Sequence, residues 1–304
     1  MTHNAKIFQI CYSPEIRAQL DPGFDVTGDE TNPRPDWFEY WHIRQFLLST
    51  QLEPSTFYGF FSPKFKEKTN LVASDVHNFI DKHGDKDVIS FSPYLDQSAL
   101  FLNIVEQADY AHRNSASIFS DICQRHFKGE DPELVINSSS ETIFCNFFVA
   151  KPAFWRRWLE ICEDIFELVE TNQDPLGVKI SGKINYKESA VPLQTFIIER
   201  IATLILSLEK QWTSANHPSY QMARGKAPIA QATTLLLALD ALKQSYQRTQ
   251  AKEYLYSYFE QRLSLFHNIT PSELRASPAP TSSLGIIQTK TQNAVDKMRA
   301  KHLL

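Results

Sequence analysis

Two charged residues sit where charge is costly. Glu199 and Arg200 lie inside Leu193–Leu208, a run of apolar helical character almost all round. Such a pair is expensive to bury unless each charge has a partner or a task. It is therefore either a structural ion pair or an acid–base and anion-binding pair. Asp96 and Gln97 open a helical stretch directly after the apolar run Asp87–Phe91. Asp96 there either caps the helix through its carboxylate or reaches a ligand, and the two roles are compatible. Asn146 is an amide in an otherwise apolar run, so it must find partners in the sheet or face a ligand. Asp85-Lys86-Asp87 is a literal Asp-x-Asp, two carboxylates close enough in sequence to share a divalent metal. Here it precedes the strand, which makes a solvated strand-entry loop the first reading and a metal site the weaker alternative. Asn103 and His112 lie further along. There is no G-x-S-x-G elbow, no H-E-x-x-H, no kinase motif set and no glycine-rich phosphate loop.

The elements that must position these residues follow from periodicity. Lys6–Tyr12 reads as the first, central strand, and Ser13-Pro14-Glu15 as a helix start. That places Tyr12 and Ser13 at the carboxyl edge of the sheet, where open α/β sheets bind ligands. Asp21–Asp36, with its prolines and glycines, reads as a loop. Trp37–Ser49 is a helix whose aromatic stripe is core. Phe57–Phe61 is a strand, Val72–Lys82 a helix with Ser74 as its cap, and Asp87–Phe91 a strand. Asp96–Tyr110 and Ser115–Phe127 are consecutive helices. Thr142–Ala150 is β-branched and aromatic and reads as a buried strand. It runs through Lys151-Pro152 into a helix with Phe154, Trp158, Cys162, Ile165 and Val169 on one stripe. Thr171–Pro192 reads as a long loop, and Leu193–Leu208 as an apolar helix. Ala230–Gln247 and Ala251–Asn268 read as a helical hairpin, Ser277–Ser283 as a linker, and Ile287–Leu304 as a last helix.

Four stretches, in order, resemble an uncharacterised bacterial family of GT-A-type glycosyltransferase-like proteins that accompany capsule and lipopolysaccharide synthesis. They are FYGFFSPKF (Phe57–Phe65), DVISFSP (Asp87–Pro93), the strand–Lys-Pro–helix unit from Thr142, and TFIIERI (Thr195–Ile201). The resemblance covers Lys6 to Glu209. It implies an α/β, GT-A-like (Rossmann-like) mixed sheet flanked by helices over residues 1–211. Periodicity and composition add a helical C-terminal extension, with a helix hairpin over 212–276 and a Pro/Ser linker with a terminal helix over 277–304. The implied activity is transfer of a sugar from a nucleotide-sugar donor to a glycan or lipid-linked acceptor in bacterial surface-polysaccharide synthesis. Glu199 is then the candidate general base and Arg200 a phosphate or sugar partner. Asp96 is a second catalytic candidate, and Tyr12, Ser13, Gln97 and Asn146 contact donor or acceptor. Where the relatives carry a His/Arg-rich turn, this chain has Ser62, Lys64 and Lys66. A fixed ammonium on Lys64 can stabilise the leaving diphosphate without a metal. No cofactor is then required; manganese or magnesium at Asp85 and Asp87 is the alternative. Two rivals stand beside this reading. One is a non-catalytic binding or assembly protein on the same fold. The other, ranked last, is a nucleotidyl- or phosphotransferase, whose acidic metal pair is not evident.

Composition bounds the setting. At 304 residues, 42% apolar and 12% aromatic, the chain can bury a large core. A net charge of −4 does not call for nucleic acid. Cys11, Cys123, Cys145 and Cys162 form no C-x-x-C pair and read as buried free thiols of a reducing compartment. No stretch reads as a signal peptide, and the most apolar late run, Ala230–Leu242, is shorter than the roughly 20 residues that span a bilayer. The expectation is a cytoplasmic protein, with contact to the inner membrane and self-association through the C-terminal helices left open.

Overall fold

The computed structural model describes residues 3–186, 189–227, 229–230, 232–268 and 282–304. The strands are β1 (Ala5–Ile10), β2 (Asp25–Thr27), β3 (Phe57–Phe61), β4 (Val88–Ser90), β5 (Phe148–Ala150), β6 (Lys183–Tyr186), β7 (Ser189–Pro192) and β8 (Ser214–Asn216). The first ten helices are α1 (Pro14–Arg17), α2 (Phe38–Ser49), α3 (Phe65–Thr69), α4 (Ala73–His83), α5 (Leu95–Leu100), α6 (Ile104–Ala111), α7 (Ser115–His126), α8 (Pro152–Thr171), α9 (Pro175–Ile180) and α10 (Leu193–Leu208). Then come α11 (Thr233–Thr249), α12 (Lys252–Asn268) and α13 (Ser282–Ala300). By its contacts the chain forms two compact units: Met1–Ser92 with Ile143–Gln221, and Pro93–Thr142 with Met222–Leu304. The segment Pro93–Thr142, read from sequence as part of the first domain, thus belongs with the C-terminal helices.

The first unit is α/β, with a mixed six-stranded sheet in the order β2-β1-β3-β5-β4-β8, consistent with a Rossmann-like fold. β1 pairs in parallel with β2 and β3, and β4 with β8, while β5 runs antiparallel between β3 and β4. All five residues of Phe57–Phe61 are buried, because helices cover both faces of the sheet. On one face Phe57, Phe61, Ile7 and Val149 pack with Phe65 of α3 and with Val76 and Ile80 of α4. On the other, Phe60 stacks near Phe8 and meets Trp155 of α8 edge-on. The indole N–H of Trp155 donates to the Tyr58 carbonyl at 2.9 Å. Gly59 has room for nothing larger: a Cβ there would come within 2.5 Å of a Val149 methyl. The aromatic stripe of α2 is core, as expected, with Trp37 and Tyr40 buried. Arg44 forks onto Glu163 of α8 at 2.6 and 2.8 Å.

Several elements differ from the sequence reading. Only Phe148–Ala150 of the stretch Thr142–Ala150 is strand. Cys145 and Asn146 before it have φ of +61° and +53°, and the Phe147 N–H donates to the Phe144 carbonyl at 3.2 Å. This is a type I′ turn, and its burial rather than strand pairing accounts for the apolar composition. Asn146 therefore sits in a turn, not inside a strand. The expected long loop Thr171–Pro192 contains α9 and the hairpin β6–β7. The N-cap of α4 is Val72, not Ser74, and the Asp75 carboxylate accepts the Val72 N–H at 3.0 Å. Pro152 stands at the first turn of α8, and α10 spans Leu193–Leu208, both as the sequence implied.

Among the described residues, the regular elements of the second unit are all helices. The expected helix Asp96–Tyr110 breaks at Phe101–Asn103, where Asn103 caps α6 by accepting the Glu106 N–H at 2.8 Å. The hairpin α11–α12 lies close to where its periodicity placed it. Lys243, fully buried, donates to the carbonyls of Ser98, Phe101 and Asn137. Arg262, also fully buried, forks onto Glu106 at 3.0 and 2.6 Å. Most of Ser277–Ser283 lies outside the described residues. No helix among the described residues is long and apolar enough to cross a membrane.

Candidate functional site

The parallel strands of the first unit end at one edge, and chain turns there supply polar groups. β1 ends into Cys11-Tyr12-Ser13, with Pro14 at the first turn of α1. β3 ends into Ser62-Pro63-Lys64 and the short helix α3. The turn Cys145–Asn146 enters the antiparallel β5 at the same edge, and β8 ends into His217. Tyr12, Ser13, Lys68, Cys145, Glu199 and His217 are all half-buried here, within reach of solvent.

Lys68 is the cation of this edge. Its ammonium lies 3.2 Å from Cys145 Sγ and 5.6 Å from the Phe147 ring centroid. Burial pushes the Cys145 thiol up to about 11, Glu199 adds to that, and Lys68 opposes it. Burial likewise holds the Glu199 carboxyl above its ordinary range, against the pull of Arg200 and Lys68. Arg200 is buried, and burial lowers its guanidinium while Glu199 supports it. Its Nη1 donates to the Phe196 carbonyl of its own helix at 2.5 Å. Tyr12 is raised first by burial and then by Glu39, with Lys68 opposing. Tyr12, Glu39, Lys68, Cys145, Glu199 and Arg200 therefore form one electrostatic cluster. Three further polar atoms on these elements are buried without a hydrogen-bond partner: Asn146 Oδ1, Ser90 Oγ and His217 Nδ1. Burial lowers the His217 pKa, which favours a neutral imidazole. An edge with an ammonium, a carboxylate of raised proton affinity and unpaired polar atoms can hold an anionic, hydroxyl-bearing ligand and accept its proton.

The comparisons add no relative. No family model, curated protein or solved structure matches the chain. The chemistry of this edge rests on its own geometry.

The sequence candidates divide between the two units. Tyr12, Ser13, Asn146, Glu199 and Arg200 belong to the sheet unit, and all but Ser13 and Asn146 take part in the cluster. Lys64 is exposed at the N-cap of α3, while Lys68, one turn on, reaches Cys145. Asp96 and Gln97 belong to the helical unit and are buried. Asp96 accepts the N–H groups of Gly225 and Ala227 at 2.6 and 3.0 Å and the Gln97 amide at 3.0 Å. Gln97 in turn accepts the Gln107 amide at 3.0 Å. Asp96 thus ties the chain at Gly225–Ala227 to α5, and α5 takes Tyr94 as its N-cap. A Cβ on Gly225 would approach Gln97 Nε2 to 2.8 Å, so this anchoring needs the glycine. Asn103 donates to the Glu133 and Val135 carbonyls, both at 2.9 Å, and is structural in the same way.

Asp85 and Asp87 lie at the amino edge of β4, away from the cluster. Asp87 latches β8 to β4 by accepting the Thr213 N–H at 3.0 Å and its hydroxyl at 2.7 Å. Asp85 pairs with Lys86 at 2.8 Å. Among the described residues, no three His, Cys, Asp or Glu side chains gather in a metal-holding group. Lys68, Cys145 and His217 are the residues that the sequence reading passed over. A helical reading of KFKEK would have found Lys68, since positions i and i+4 share a face. The three-residue β8, Ser-Ala-Asn, carries no strand signal, so nothing placed His217 at the edge.

Proposed function

We propose that the sheet unit is a glycosyltransferase of GT-A type. It would move a sugar from a nucleotide-sugar donor to a glycan or lipid-linked acceptor in bacterial surface-polysaccharide synthesis, without an Asp-x-Asp metal site. The observation that supports the reading is the half-buried Lys68 ammonium, 3.2 Å from Cys145 at the carboxyl edge of a mixed sheet, where its charge also acts on the Glu199 carboxyl. In this scheme the acceptor hydroxyl gives its proton to Glu199 as its oxygen bonds to the anomeric carbon. The bond to the leaving diphosphate breaks with its electron pair on that phosphate oxygen, and Lys68 stabilises the charge that develops. Arg200 supports the local charge balance, and Asn146 and Tyr12 offer hydrogen bonds to sugar or base. Asp96 and Gln97 receive no part, because their polar atoms are engaged inside the helical unit.

The test is transfer from a panel of nucleotide-sugars to polysaccharide or lipid-linked acceptors, with Glu199→Gln and Lys68→Met beside the unaltered protein. Loss of at least 100-fold in turnover for each variant, with unchanged circular dichroism, is the expected result. Full activity in both would remove the assignment. Donor binding without turnover in the unaltered protein would favour the binding-protein reading instead.

A further inference from the structure

An amine and a thiol that stand 3.2 Å apart, Lys68 Nζ and Cys145 Sγ, are close enough to bond if the sulfur is oxidised. Both residues are partly exposed, whereas Cys11, Cys123 and Cys162 are buried. Two separate elements hold the pair in register. Lys68 projects from α3, which closes with Asn70 in a left-handed cap. Cys145 is fixed by the type I′ turn, in a conformation that a non-glycine residue adopts only when its surroundings impose it. The turn fixes the Cα–Cβ direction of Cys145, so only rotation about that bond positions its sulfur against the amine.

We propose that Cys145 and Lys68 are a redox modification site, at which hydrogen peroxide oxidises the thiol and the lysine amine captures the product as a sulfur–nitrogen cross-link. In the first step the sulfur attacks one peroxide oxygen, the O–O bond breaks, and Cys145 becomes a sulfenic acid with loss of one water. In the second, the neutral Lys68 amine attacks that sulfur. The S–O bond breaks, and the departing hydroxide leaves as water with one amine proton. Sulfur gives up two electrons in all, and peroxide takes both. Two equivalents of an external thiol return the free cysteine and lysine and leave as a disulfide. In the alkaline medium of the test, solvent hydroxide takes the proton from the Lys68 ammonium before the attack. The bond would remove the cation from the carboxyl edge. That consequence for activity rests on the proposed function; the cross-link itself does not.

The experiment treats the full-length native protein with hydrogen peroxide at mildly alkaline pH, where the thiolate is better populated, and maps peptides by mass spectrometry. The expected product joins the Lys68 and Cys145 peptides at about 2 Da below their sum and reverts with dithiothreitol. Lys68→Arg keeps the charge but removes the amine, so it should yield no cross-link and let Cys145 proceed to the sulfinic acid. Recovery of Cys145 as free thiol, or as sulfinic acid beside a free Lys68 in the unaltered protein, would overturn the proposal. The cross-link forms or fails whether or not the sheet unit transfers sugar, so the two proposals fall separately.

Discussion

Lys64 and Lys68 share a five-residue neighbourhood and differ in what they touch. Lys64 is exposed, while Lys68 reaches Cys145 and the cluster around Glu199. Lys68→Met should weaken binding of a nucleoside diphosphate about tenfold or more by titration calorimetry, with Lys64→Met within about twofold of the unaltered protein. The reverse order would move the anion site to the exposed turn. Glu199 makes a pH prediction. Burial raises its pKa above the ordinary 4.5, and a base must be unprotonated, so turnover should fall as pH drops through a value above 4.5. The stability sign is opposite. A carboxyl with a raised folded pKa contributes fully below its unfolded pKa, and the contribution is lost as pH rises through the folded one. Glu199→Gln should flatten that part of a urea-stability profile taken against pH. The pair Glu199-Arg200 was legible in sequence because charge inside an apolar helix is costly and stands out. Asp96 was misleading for a physical reason. Its residue type suits catalysis, but its partners Gly225 and Ala227 lie more than a hundred positions away, where periodicity carries no information.

Elements with strong local signals were readable. Phe57–Phe61 and Leu193–Leu208 have the boundaries their composition implies. The stretch Thr142–Phe147 was not, because β-branched and aromatic residues suit a buried turn as well as a strand. Two consecutive left-handed residues, Cys145 and Asn146, show the difference only in the backbone. Asn146→Gly should relieve the turn and raise stability by about 0.5–1 kcal/mol in urea unfolding. It should also weaken ligand binding at the edge, because Asn146 Oδ1 is buried there without a partner. A loss of stability would mean the amide does structural work. In the helical unit, Lys243 spends its three N–H donors on the carbonyls of Ser98, Phe101 and Asn137. Burial pulls its pKa down to about 8, with Asp240 and Glu141 opposing. Lys243→Met takes the ammonium away from those buried carbonyls and should cost about 3 kcal/mol or more in urea unfolding followed by far-UV dichroism. A cost below about 1 kcal/mol would show that water replaces the ammonium.

At the scale of the molecule, composition and pattern gave an α/β fold, but not the division of the chain. Pro93–Thr142 joins Met222–Leu304 through contacts such as Arg262 with Glu106 and the Tyr258 hydroxyl with the Leu100 carbonyl at 2.7 Å. Their partners are far apart in sequence, which hydrophobic periodicity cannot reveal. The division also supplies a reporter, since Trp37, Trp41, Trp155, Trp158 and Trp212 all fall in the sheet unit. Tryptophan emission therefore follows the unit that carries the Lys68–Glu199 edge. A ligand that binds only the native state stabilises it by mass action, by about 2.7 kcal/mol at a hundredfold excess over its Kd. The most direct test of the account is thermal unfolding read by tryptophan emission against UDP-, GDP-, CMP- and dTDP-sugars, with manganese and with EDTA. The account predicts that one donor raises the midpoint by several degrees in EDTA, and that Lys68→Met abolishes the shift. No shift with any donor, or a shift that requires manganese, would contradict it.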